Sequence, residues 1–167
     1  MVDVPQRPSG LGWTPDGALL VVSMLDHRLL RFDGGLPRVV ADLSAVATGP
    51  CNDMVVDAAG RADVGNFGFD RHRGEQPRTT WVRVDPDGSV VRAADDLLFP
   101  NGTVMTPDGR TLIVAETFAS RLTVFDVGAD GALSGRRLFA RIEGLLPGRH
   151  LPGRRARGLV ADARATG

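Results

Sequence analysis

Two asparagines that directly precede short apolar runs carry the side chains best suited to chemistry. Asn52, with Asp53 beside it, comes before the apolar residues 54–56, and Asn101 follows Pro100 just before a similar run. Amide oxygens suit a hard divalent cation or a polar ligand. If both runs are strands lining one channel, both asparagines point at a common axial site. The alternative is that both residues make Asx turns and bind nothing.

The other reactive side chains have simpler interpretations. Glu116 ends an apolar run, where a solvated carboxylate at a strand end is expected, although the side chain could face the channel. The sequence shows no base that would activate Cys51, so we expect a buried, inert thiol. The three histidines, His27, His72 and His150, share no metal-ligand spacing, and we interpret them as structural or exposed.

Four further aspartates divide into turn residues and one exception. Asp16, Asp57 and Asp108 stand in turn sequences that end in glycine, and each is interpreted as a hairpin residue rather than a ligand. Asp63 lies within an apolar stretch that we place on an inner strand. An unpaired carboxylate there would cost several kcal/mol or become protonated. Asp63 therefore argues against a well-packed core at that position.

The elements that position these residues are short strands joined by tight turns. Twenty-one glycines and eleven prolines favour an all-β protein. A unit made of an apolar strand, an Asp-Gly hairpin and a second strand recurs after about 42 and then about 50 residues, an interval typical of propeller blades. Residues 12–142 hold about three such units, whereas a closed propeller needs roughly four to eight blades. The chain is thus predicted to be an incomplete propeller.

Composition excludes several classes of partner. Twenty basic residues balance twenty acidic ones, and the arginines near the end of the chain have no interleaved aromatic residues, so we predict no nucleic-acid partner. No apolar run approaches the roughly 20 residues of a membrane helix. A single cysteine and the lack of a basic-apolar leader give no support for secretion. We therefore expect a cytoplasmic protein without membrane partners, whose oligomeric state the sequence leaves open.

Five short motifs occur in order along the chain. They are GPCNDMVVD at residues 49–57, GNFGFD at 65–70, FPNG at 99–102, PDG at 107–109 and VAET at 114–117. Together they resemble the family that includes gluconolactonase and regucalcin, also called senescence marker protein, and the similarity runs from about residue 3 to about residue 144.

The resemblance implies a fold, a cofactor and an activity. Members of the family form six-bladed propellers with one divalent ion, Ca²⁺ or Zn²⁺, at the channel mouth, and they hydrolyse sugar lactones. By position in the motifs, Asn101 would be a metal ligand, and Asn52 would lie beside the metal or bind the substrate. The metal would polarise the lactone carbonyl and hold or activate water, and a carboxylate would act as general base. A small-molecule lactone is the implied substrate.

Two carboxylates of the family pattern have no counterpart. The family's first ligand, a glutamate, would lie upstream of residue 1. An aspartate that acts as ligand and base is expected just beyond residue 146, where residues 147–158 are rich in Gly, Pro and Arg. Back-translation of this stretch, read one base later, permits a Pro-Asp-Gly sequence. We therefore predict a partial propeller over residues 1–146, and a disordered or frameshifted tail over residues 147–167.

The functional hypothesis is a metal-dependent hydrolase of sugar-type lactones whose activity is impaired by the missing carboxylates, with the catalytic base unassigned. The alternatives are a non-catalytic propeller-type binding module, whose polar channel mouth recognises a ligand, and an inactive fragment with uncovered strand edges.

Overall fold

The computed structural model describes residues 3–68 and 78–142, and these form twelve strands and one short 3₁₀ turn, Thr117–Ala119. The strands build three four-stranded antiparallel sheets, which we call blades 1 to 3. Blade 1 contains β1 (Pro8–Trp13), β2 (Leu19–Ser23), β3 (Arg28–Phe32) and β4 (Arg38–Asp42). Blade 2 contains β5 (Cys51–Val56), β6 (Ala62–Asn66), β7 (Thr79–Val84) and β8 (Val90–Leu97). Blade 3 contains β9 (Pro100–Met105), β10 (Thr111–Glu116), β11 (Arg121–Val127) and β12 (Leu133–Arg141).

Within each blade the strands pair in the order in which they occur along the chain. The hairpins between first and second strands close as the sequence predicts. The carboxylate of Asp57 accepts hydrogen bonds from the backbone N–H groups of Ala59 and Arg61, both at 2.9 Å, and Gly60 takes the positive φ of 83° that the turn needs. Asp108 makes the same kind of turn contact in blade 3, with the N–H of Arg110. The interpretation of these aspartates as turn residues is confirmed.

The first strand of each blade is its innermost strand, and β5 packs between β1 and β9. This approach is closest at Gly10 on β1, where an added Cβ would lie 2.7 Å from the carbonyl oxygen of Asn52 and 2.7 Å from the backbone nitrogen of Met54. Glycine at this position therefore permits two inner strands to meet backbone to backbone. That contact fixes the spacing of blades 1 and 2 around the axis.

Two apolar cores hold the blades together. The first lies between blades 1 and 2 and includes Leu20, Val22, Leu29, Val64 and Val82. The second lies between blades 2 and 3 and contains Trp81, Leu97, Leu112, Val114 and Phe125. Blade 2 thus contributes to both cores, through opposite faces of its sheet. The arrangement confirms the prediction of an all-β, incomplete propeller with about three blades.

The remaining expectations from the sequence concern the last residues of the chain, the histidines and membrane-spanning helices. Residues 147–167, predicted to form a disordered or frameshifted tail, lie outside the described residues, as do His72 and His150. His27 lies in the hairpin between β2 and β3, with a positive φ of 55°. In the described part of the chain, no helix has the length and apolar character that crossing a bilayer would require.

The structure corrects the expectation for Asp63. Asp63 lies on β6, the second strand of blade 2, and its carboxylate is paired, because Oδ1 accepts a hydrogen bond of 3.0 Å from the indole Nε1 of Trp81. The residue is only 2% exposed. Burial raises the pKa of Asp63 to about 7, and the Trp81 hydrogen bond offsets only part of that effect. The carboxyl group is therefore accommodated, but it favours the protonated form.

This pKa predicts that stability falls as the pH rises. An unfolded aspartate has a pKa near 3.9, so the folded protein binds the proton more tightly, and the resulting stability is present below that value and lost through pH 7. We expect Asp63→Asn to flatten the fall in unfolding free energy between pH 5 and pH 8.5, an effect on the order of 2 kcal/mol or more. Urea titrations at both pH values measure it.

Asp126→Asn serves as the control, because it removes an exposed aspartate from β11 and leaves Asp63 in place. A variant Asp63→Asn that keeps the full wild-type pH dependence would show that the buried carboxyl group does not titrate in this range.

Candidate functional site

The candidate site lies at the end of the blades where the inner strands begin. Because the strands are antiparallel, the second strand of each blade ends there as well: Cys51 pairs with Asn66 in blade 2, and Pro100 pairs with Glu116 in blade 3. We call this end the mouth, defined by the first residues of the inner strands and the last residues of their partners. Asn52 and Asn101 both lie at the mouth.

Asn52 bridges blades 2 and 3. Its side chain is 2% exposed, and Nδ2 donates a hydrogen bond of 2.6 Å to the carbonyl oxygen of Pro100. The amide packs on Gly65, where an added Cβ would lie 2.7 Å from Oδ1 of Asn52. Oδ1 itself is buried and has no hydrogen-bond partner among the described residues. One polar atom at the mouth is therefore left with unused acceptor capacity.

Asn101 differs from Asn52 in its exposure. It is the second residue of β9, directly after the Pro100 whose carbonyl Asn52 holds, and it is exposed. Gly102 follows it with a positive φ of 90°. The structure thus brings Asn52 and Asn101 to one place: the buried amide of Asn52 contacts Pro100, which directly precedes the exposed Asn101.

Glu116 is not the solvated carboxylate that its place at a strand end led us to expect. It is 0% exposed. Both carboxylate oxygens accept hydrogen bonds from Arg121, each at 2.9 Å, and Oε2 also accepts the backbone N–H of Leu98 at 2.9 Å. Burial raises the pKa of Glu116, but the hydrogen bonds from Arg121, Thr123 and Leu98 outweigh it and leave that pKa lowered. Glu116 is therefore a buried, ionised and fully engaged group.

Cys51, the first residue of β5, is a buried thiol, as predicted. Its side chain is completely inaccessible, and burial raises its pKa to about 12, with a further contribution from Asp26. A thiol with such a pKa carries almost no thiolate at neutral pH. Cys51 is therefore not a nucleophile at the mouth.

Three phenylalanines at the mouth were missed in the sequence. The rings of Phe67 and Phe99 lie 5.0 Å apart, and those of Phe99 and Phe118 lie 4.8 Å apart, both pairs in tilted arrangements. Phe67 follows β6 and Phe118 follows β10, so their equivalent places in the repeat were the available signal. The rings join the connections of blades 2 and 3.

The donors at the mouth fit part of a metal shell. The exposed amide of Asn101 is the kind of neutral oxygen ligand that hard cations accept. Carboxylates are the other ligands of such cations, yet both oxygens of Glu116 are engaged by Arg121. Across residues 3–68 and 78–142, no three side chains from His, Cys, Asp and Glu are grouped so as to hold a metal ion. The described residues therefore offer an amide ligand without its carboxylate partners.

Three four-stranded antiparallel blades packed side by side through their inner strands define a segment of a β-propeller. The family model of the SMP-30/gluconolactonase/LRE-like region matches residues 1–162. The chain belongs to this family, which confirms the resemblance found in the sequence.

Solved structures with the same fold include an X-ray structure of a protein assigned as a gluconolactonase, with a TM-score of 0.67 and 22% identity over 83% of this chain and 51% of that one. Regucalcin from Agrobacterium tumefaciens strain C58, described as a calcium-binding protein, has a TM-score of 0.64 and 24% identity over 81% of this chain and 45% of that one. A chain of the nidogen/laminin complex has a TM-score of 0.62 and 17% identity over 81% of this chain and 48% of that one. The chain spans about half the length of these relatives.

Proposed function

We propose that this chain carries part of a metal-dependent lactonase site, in which Asn101 is a ligand of one divalent cation, Ca²⁺ or Zn²⁺, and Asn52 contacts a small-molecule lactone. The observation that carries the proposal is the contact between the amide of Asn52 and the carbonyl of Pro100, because it places a buried amide beside the exposed Asn101. Membership of a family that includes gluconolactonase supports the substrate class.

The two asparagines at the mouth would have different roles in this reaction. When bound, a divalent cation polarises a lactone carbonyl and holds water beside it. Asn101 presents an amide oxygen to that cation. Asn52 uses its Nδ2 to hold the backbone of Pro100, and its Oδ1 has no partner but is buried, so a sugar hydroxyl would donate to Oδ1 only after the packing at the mouth opens. The general base remains unassigned, and we propose that activity is weak for this reason.

Cation binding tests the assignment of Asn101. We expect Asn101→Ala to raise the dissociation constant for Ca²⁺ or Zn²⁺ about tenfold or more, because an oxygen ligand is lost. Asn101→Asp is expected to lower it, because added negative charge on a ligand tightens Ca²⁺ binding. Isothermal titration calorimetry on the whole chain measures both changes.

Thr117→Ala is the matched control, because it alters another exposed polar side chain at the mouth. If the wild type, Asn101→Ala and Asn101→Asp bind the cation with equal affinity, Asn101 is not a ligand of the metal. A wild-type chain that binds neither cation would contradict the proposed metal site and leave the non-catalytic binding module and the inactive fragment as the alternatives.

A further inference from the structure

The end of β8 and the connection from β8 to β9, which lead to Asn101, have an unfavourable backbone. Asp96 and Phe99 both have positive φ values, 61° and 51°, although neither is glycine. Side chains disfavour this left-handed region, and a bulky residue such as Phe is rarely found there. Such a conformation persists only when the surrounding structure holds it in place. The contacts around residues 95–100 must therefore fix the backbone position of Asn101.

Glu116 supplies the inner part of these contacts. Its Oε2 accepts the N–H of Leu98 at 2.9 Å, and the next residue, Thr117, donates its own N–H to the carbonyl of Phe99 at 3.0 Å. Glu116 also pairs with Pro100 in the ladder between β10 and β9. Three successive residues before Asn101 are thus held by Glu116 and its neighbour.

Arg136 supplies the outer part. It lies on β12, the outermost strand of blade 3, and its guanidinium donates hydrogen bonds to the carbonyls of Asp95 at 2.8 Å and Asp96 at 2.9 Å. The guanidinium nitrogen that bonds Asp96, Nη2, also lies 3.4 Å from Oε1 of Glu116, so the side chains of Arg136 and Glu116 are joined. The planar guanidinium allows one side chain to reach two carbonyls and a carboxylate together.

Arg121 and Thr123 complete the group by orienting the carboxylate. Arg121 binds both oxygens of Glu116, and the hydroxyl of Thr123 donates to Oε1. A buried carboxylate with two cationic neighbours and several donors is well satisfied, and these contacts favour the observed orientation of Glu116. We call Glu116, Arg121, Thr123 and Arg136 the Glu116 clamp.

We propose that Glu116 is a positioning residue of the candidate metal site: the Glu116 clamp holds backbone residues 95–100 so that Asn101 is presented at the mouth. This inference rests on the proposed function of Asn101 in cation binding. Glu116 acts through the backbone and touches neither cation nor substrate. Its carboxylate is therefore used as a structural anchor rather than as the missing general base.

The test combines hydrogen exchange with cation titration on the full chain. We expect Glu116→Gln to speed exchange of the Leu98 amide at least tenfold and to raise the dissociation constant for Ca²⁺ or Zn²⁺ about tenfold, the scale of effect seen for groups that orient ligands. Arg137→Gln is the matched control: Arg137 adjoins Arg136 on β12 but pairs with Asp126 at the surface. It is expected to change neither quantity.

Arg136→Lys keeps the charge but replaces the two guanidinium nitrogens that bond the two carbonyls with one ammonium nitrogen. It therefore tests the geometry separately, and it is the second variant to use if Glu116→Gln fails to fold. It is expected to speed exchange at residues 96–99 and to weaken cation binding several-fold. Folded variants that keep wild-type exchange at Leu98 would overturn the proposal, as would faster exchange with unchanged cation affinity.

If the wild-type chain binds no cation, the proposed function fails, and the clamp is judged on the side-chain amide resonances of Asn101. Resonances that shift and broaden in Glu116→Gln but not in Arg137→Gln would support the clamp. Unchanged resonances would reject it.

Discussion

Replacing Trp81 with alanine is expected to lower the free energy of unfolding by about 3–5 kcal/mol, the largest effect of any single side chain described above. Trp81 is 0% exposed and is the largest side chain of the core between blades 2 and 3. Its loss leaves a cavity and also removes the hydrogen-bond donor of the buried Asp63. Since domains of this size have a total free energy of unfolding of about 5–15 kcal/mol, the variant is expected to lose a large part of its stability.

Trp13 provides a control of the same residue type. It lies on β1 and is 67% exposed, so Trp13→Ala is expected to change stability by less than about 1 kcal/mol. Urea unfolding, monitored by circular dichroism, compares the stability of the two variants. Similar losses for Trp13→Ala and Trp81→Ala would mean that blades 2 and 3 are not packed through the core that contains Trp81.

Gly10→Ala is expected to destabilise the protein by about 1–3 kcal/mol or more, although it adds only one methyl group. The new Cβ would lie 2.7 Å from two backbone atoms of β5, the carbonyl oxygen of Asn52 and the nitrogen of Met54. Because backbone atoms in a paired strand cannot turn aside as a flexible side chain can, β1 and β5 must move apart. Thermal unfolding measures the effect as a fall in Tm of several degrees.

Gly35→Ala is the matched control, because a Cβ at that position meets nothing within 4 Å. Its Tm is expected to stay close to that of the wild type. If Gly10→Ala and Gly35→Ala have equal Tm values, the inner strands do not approach as closely as described, and the spacing of blades 1 and 2 has another origin.

The repeat of turns and apolar runs predicted most of the fold because its signals are local. Asp57 with Gly60 forms the expected hairpin within five residues of sequence, and β10 contains the apolar run over residues 112–115. Strand β12 is indicated in the sequence only by the Asp130-Gly131 turn before it, since LSGRRLFAR has no regular alternation, and it becomes a strand by pairing with β11. The strands that pattern alone identifies are those that bury apolar side chains.

The misinterpreted carboxylates depend on partners that lie on other strands. Glu116 is buried by Arg121 and by Arg136, which lie on other strands and reach it only when blade 3 is assembled. Asp63 is accommodated by Trp81, eighteen residues later. Local pattern could identify each carboxylate but not the donor that satisfies it, because that donor is set by tertiary packing. Asn52 and Asn101 were brought together on the basis of equivalent places in the repeat, and these positions do share the mouth.

The order of the strands within each blade also bears on how the chain reaches its native state. Since every ladder joins strands adjacent in sequence, each sheet grows by successive hairpin closures that span few residues. Short closures lose little chain entropy and occur on a microsecond scale, whereas docking of one sheet on another joins more distant segments. We therefore expect a folding route in which hairpins precede blade docking, and in which the close approach at Gly10 is a late event.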